Sequence, residues 1–137
     1  MSSETLLLAG ILLLALVTVE SGGYLLTRVV RGHAPANDLQ KGFFRAGHAH
    51  AAVLLVLSLA ILAMIDAAPY EGLLAWFART AVPIAAILMP AGFFLSVTGR
   101  DPVKPNGLIW LLWIGAIVLT AGLITAGVGL ILAAVAA

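Results

Sequence analysis

The sequence predicts an all-α polytopic membrane protein: four transmembrane helices in an up-down bundle, forming a single domain over residues 1–137. Three observations predict it. Hydrophobic residues make up 63% of the chain and charged residues 9%, against roughly 45–50% and about 25% in soluble domains. Four apolar runs each exceed the ~20 residues that cross a hydrocarbon core about 30 Å thick. The stretches between them are rich in Gly, Pro, Asn and Asp, the residues of turns. In lipid such runs must pair their backbone internally as helices, and the short alternating segments of a barrel are not seen. A net charge of +1 with no basic run gives nucleic acid no electrostatic footprint. Zero cysteines exclude disulfides, thiolate metal sites, thiol-ligated iron–sulfur clusters and c-type haem attachment.

The first run covers residues 5–30. Met1-Ser2-Ser3-Glu4 lacks the basic segment of a secretory signal and no A-x-A cleavage site is apparent, so the run reads as a retained helix. Gly32, Pro35, Asn37 and Asp38 break it, and Asn37 or Asp38 is placed to cap the next helix. The second run covers residues 43–65 and ends in the acidic connection of Asp66 and Glu71. The third covers residues 73–98. Pro83 and Pro90 either bend it, or Pro83 opens the spanning helix and residues 70–80 form a short interfacial one. Residues 99–107 contain Gly99, Asp101, Pro102 and Pro105, with Asp101 read as turn chemistry. The fourth run covers residues 108–136, where Gly115, Gly122, Gly127 and Gly129 predict close helix packing or dimerisation. Tyr70, Trp76, Trp110 and Trp113 fit interfacial anchoring.

Orientation is set by the cations. Arg28, Arg31, Lys41 and Arg45 flank the first connection and Arg100 and Lys104 the third, so six of seven lie on one side. The positive-inside rule then places loops 1 and 3 in the cytoplasm and both termini outside. Arg79, the seventh, is expected to snorkel outward or to pair with Asp66 or Glu71. A weak internal similarity reads either as a two-helix repeat or as chance within a restricted apolar alphabet. Residues 22–31 align with residues 91–100, with Gly23/Gly92, Leu26/Leu95 and Arg31/Arg100 identical. Both segments close an outward-to-inward helix, so the repeat is parallel, about an axis along the membrane normal.

Ionisable groups inside the runs mark the candidate site, because a charge at a helix centre costs roughly 2.5–3.5 kcal/mol on insertion scales. Glu20 lies ~12 Å from Arg28 by helical rise. Tyr24 and Arg28 succeed Glu20 at i+4 and i+8 on one face, and Ser21, Gly22 and Gly23 admit a neighbouring helix. On the second run His48 and His50 lie about 5 and 8 Å beyond Arg45. Across an antiparallel hairpin they reach the depth of Glu20, and a Glu–His pair would stabilise each other's charged forms. The sequence thus predicts a polar network of Glu20, Tyr24, Arg28 and Arg45 with a Glu20/His48/His50 site in the cytoplasmic half.

These residues support three functions. In the first, the network locks helix register, and the protein is a structural or accessory subunit of a membrane assembly, either a homo-oligomer or a larger complex. In the second, Glu20, one of His48 and His50, and His33 hold a transition metal such as Zn, Cu or Fe. His48 and His50 point about 200° apart on a regular helix, so both together do not chelate one ion, and bis-histidine haem requires a second chain. In the third, Glu20 and the histidines relay protons or ions, though the outer half offers only Asp66, Glu71 and Arg79 to continue a path. No Ser/His/acid pattern, phosphate-binding glycine loop or set of histidine boxes is present, so the residues favour a non-enzymatic role.

The segment Phe43-Phe44-Arg45-Ala46-Gly47-His48-Ala49-His50-Ala51, with Met89-Pro90-Ala91-Gly92-Phe93-Phe94-Leu95 and Gly99-Arg100-Asp101-Pro102 downstream, resembles a group of uncharacterised bacterial four-helix membrane proteins. The resemblance covers the second to fourth runs and implies a bacterial inner (cytoplasmic) membrane location, with no activity attached.

Overall fold

The computed structural model describes residues 1–68 and 70–136. Its four long helices are α1 (Ser3–Val30), α2 (Asp38–Ala67), α3 (Gly72–Ser96) and α4 (Trp110–Ala136), the last entered through a 3-10 turn at Gly107–Ile109. Each of the four is long and apolar enough to cross a membrane. No strand occurs among the described residues.

Local chemistry sets the helix ends. Ser2 caps α1 by accepting from the Thr5 amide. At the other end the Gly32 amide bonds the Val29 carbonyl at 3.1 Å, and the His33 amide bonds the Arg28 carbonyl at 2.9 Å. These two bonds close a Schellman motif, which needs a left-handed residue at Gly32, and its φ is 75°. Asn37 caps α2 in a reciprocal capping box with Gln40, so the cap expected at Asn37 or Asp38 falls on Asn37. Both prolines of the third run lie inside one continuous α3, and no separate interfacial helix forms over residues 70–80. Each proline deletes one backbone donor, which surrounding helices tolerate in a bundle. Asp101 adopts a φ of 56° beside Gly99 at 116°, in keeping with its reading as a turn residue.

Packing joins sequence neighbours: α1 on α2, α2 on α3, and α3 on α4. The contacts pair opposite ends. Thr5 at the start of α1 meets Asp66 at the end of α2. Gln40 at the start of α2 donates to the Val97 and Gly99 carbonyls just past the end of α3. Gly92 of α3 abuts Leu112, and Gly122 of α4 abuts Ala81. The core gathers Leu62 and Ile65 of α2 with Ala75, Ala78 and Val82 of α3, all at most 1% exposed. Burial is uneven: 39% of the most apolar stretch of α2 and of α3 is buried, 17% of that of α4 and 6% of that of α1. The apolar residues left bare, among them Leu14, Leu73, Ile117 and Val135, form a surface suited to lipid rather than water.

Candidate functional site

The inward face of α1 repeats at helical spacing through Thr5, Leu8, Leu12, Ala15, Val19, Gly22, Leu26 and Val29, all buried or half-buried. Glu20 falls beside that stripe. With Tyr24 and Arg28 it lies on the exposed outer face of α1, so the shared face expected from i, i+4, i+8 spacing is present but turned away from α2. Among the described residues Glu20 makes no ion pair. The pairing of Glu20 with His48 or His50 is therefore not made within one chain.

The histidines point to different helices, as their 200° separation requires. His48 fills the notch left by two glycines: a Cβ at Gly23 would lie 3.3 Å from its Cε1, and one at Gly22 would lie 3.8 Å from Nδ1. Beside it a cavity of about 170 Å³ opens between α1, α2 and α3, walled by Leu25, Leu26, Val29, Phe44 and Phe94. His50 turns to α3. Its Nδ1 lies 2.8 Å from the Ala46 carbonyl, a contact that only a protonated nitrogen can make, and its ring centroid is 4.9 Å from that of Phe93. The small residues of α2 serve this same contact, since a Cβ at Gly47 would meet Phe93 and Phe94 at 3.0 Å. His33 is exposed in loop 1, where its backbone completes the α1 terminus. Arg45 is exposed on the first turns of α2.

Glu20, His48, His50 and His33 thus occupy four separate environments. No group of three or more His, Cys, Asp or Glu able to hold a metal ion forms among the described residues. The metal set expected from the sequence is not brought together around one point among the described residues: spacing along two helices sets depth, while the azimuths diverge. The expected partners of Arg79 also fail to close on it. Asp66 is occupied elsewhere, and no Arg79 ion pair with Asp66 or Glu71 is formed.

Two polar clusters lie outside the predicted site. At one end Asp66 accepts from the Ser2 amide at 3.0 Å on both oxygens and from the Thr5 hydroxyl at 2.9 Å. The Met1 amino group lies 3.3 Å away. At the other end Asn37 donates to Asp101 and to the Pro102 carbonyl, both at 2.8 Å, beside the Gln40 clasp. Loops 1 and 3 are thereby stitched together. The Asn37-x-x-Gln40 spacing signals the local capping box within the second cluster, while its contacts to Asp101 and Pro102, like the first cluster, have no local signal. No family model, curated protein or solved structure matches the chain.

Proposed function

We propose that the protein is a structural or accessory subunit of a membrane assembly and that it docks through the outer face of α1. One observation carries this reading: Glu20, with Tyr24 and Arg28, is exposed on the helix that buries least of itself. By helical rise Glu20 sits ~15 Å from the end of α1, inside the hydrocarbon depth of a spanning helix. An acid there is stable when a neighbour supplies a donor or a cation. A second copy docked about a parallel two-fold axis would set Glu20 against Glu20 and Arg28 against Arg28, juxtaposing like charges. The occupant that fits is a helix of a different membrane protein carrying a donor or cation at this depth.

In this reading the chain is an up-down bundle in a bacterial inner membrane, with both termini outside and loops 1 and 3 cytoplasmic, as the cation distribution supports. The parallel repeat is part of it. The aligned glycines each receive the next helix, His48 on Gly23 and Leu112 on Gly92.

The chain has no cysteine, so single-cysteine or photo-crosslinking variants report one position at a time. Crosslinkers at Val17 and Tyr24 in native membranes are expected to give one shared heavier product, absent at Ile117 and Ile124 on α4 and lost in Glu20→Leu. A self-dimer product, equal products from both helices, or a product indifferent to Glu20→Leu would overturn the assignment.

A further inference from the structure

At the end of the molecule where α1 and α3 begin, three charged side chains line one cleft without closing on one another. Ser2, Glu4, Glu71, Gly72, Trp76 and Arg79 surround a space of about 250 Å³. The Nε of Arg79 is shut away from solvent and has no hydrogen-bond partner. The ion pairs among the described residues are Met1–Asp66 and Lys41–Asp38, so Arg79 is bound to neither Glu4 nor Glu71. Asp66, the other acid at this end, is already saturated by Ser2 and Thr5.

We propose that this cleft binds the headgroup of a phospholipid that carries both a phosphodiester and a primary ammonium, as in phosphatidylethanolamine. The charge pattern selects a zwitterion. A lone anion would be drawn to Arg79 but repelled by two carboxylates, and a lone cation would meet the reverse. A molecule bearing both charges satisfies all three groups. The terminal nitrogens of the guanidinium fork match phosphate oxygens in bidentate geometry. A primary ammonium has three N–H groups to donate to Glu4 and Glu71, and a trimethylated one has none.

The depth and surroundings fit a lipid rather than a soluble ligand. Arg79 lies ~10 Å along α3 from Gly72 by helical rise, the depth at which headgroup meets acyl chain. Trp76 and Tyr70 sit at the same end, where aromatic side chains favour the interface. Leu73 and Phe77, exposed beside the cleft, offer apolar surface to the acyl chains.

The test is lipid retention by the full-length protein, read by native mass spectrometry after exchange into phosphatidylethanolamine, phosphatidylcholine or phosphatidylglycerol. Retention of phosphatidylethanolamine is expected to exceed that of the other two by ~10-fold, about 1.4 kcal/mol. Arg79→Gln is expected to abolish retention of every lipid. Glu4→Gln with Glu71→Gln is expected to remove the preference over phosphatidylglycerol while retaining phosphate binding. Arg79→Lys, which keeps the cation and loses the fork, separates binding from folding: it should remain folded and retain lipid weakly. Equal retention of the three lipids, or a preference unchanged in Arg79→Gln, would overturn the site. Displacement of bound lipid by millimolar glycerophosphoethanolamine would overturn its assignment to a membrane lipid, and persistence of the lipid would support it.

Discussion

Along α3 and α4 two backbones touch, whereas between α1 and α2 a side chain stands in the gap and polar bonds tie the pair at one end. On the first seam Gly92 lies directly on the backbone of Leu112, Gly115 on Met89, Gly122 on Ala81 and Gly129 on the ring of Tyr70. On the second, His48 occupies the gap beside Gly22 and Gly23, a cavity opens next to it, and Asp66 fastens the start of α1. Between helices in lipid there is no hydrophobic driving force, so close packing of small residues is the main source of adhesion. By that measure α3 and α4 form the closely packed part of the molecule. Helix α1 is the least buried part, and it is also the part that presents an unsatisfied acid outward.

Three substitutions break or sharpen this contrast. The largest effect is expected at Gly92→Leu, where the first added carbon already collides with the Leu112 backbone. Overpacking that the neighbour cannot relieve should cost more than ~3 kcal/mol, seen as loss of the cooperative melt in detergent and of recovered protein. A normal melt would show that the α3–α4 seam is slack after all. Next comes Asp66→Ala, which strands the Ser2 amide and the Thr5 hydroxyl. Local opening of the first turns of α1 should rise on the order of tenfold in hydrogen exchange, with α3 and α4 unchanged. Equal loosening of all four helices would mean that α1 is integral to the closely packed part. The smallest effect is expected for Glu20→Gln in the isolated protein. Its melting should stay within ~0.5 kcal/mol of the parent, because among the described residues no group pairs with that carboxylate. A larger loss of stability would place the partner of Glu20 inside the chain.

Much of the architecture was legible because membrane insertion is dictated by composition. The four runs were placed within a few residues of the helix ends, and Asn37 and Gly32 marked a start and a stop through their own chemistry. Residue spacing also gave the divergence of His48 and His50. The azimuth of α1 was not legible. That helix is apolar on nearly every side, so hydrophobic periodicity does not distinguish the face toward α2 from the face toward lipid. The better signal was small residues: Ala15, Gly22 and Gly23 lie on the inward stripe, and Glu20 lies beside it. Of the two readings of Arg79, the pairing with Asp66 or Glu71 is not formed, for a different reason. Charge and proximity in the loops nominated Asp66 as its partner, but Asp66 was taken by backbone and hydroxyl donors from residues more than 60 positions away.

The amino-acid sequence by itself determined that this chain makes four long helices suited to a bilayer, where they start and stop, and which few residues carry charge into the apolar runs. These are consequences of local chemistry and of the energy of transfer into hydrocarbon, which each segment settles alone. Which way each charged side chain faces was decided only when helices packed. A rotation of one helix by a third of a turn leaves its composition unchanged, yet it sets whether Glu20 meets an imidazole or looks outward. The fit of Gly22 and Gly23 around His48 goes with the rotation of α1, as that of Gly115 and Gly122 against α3 goes with the rotation of α4.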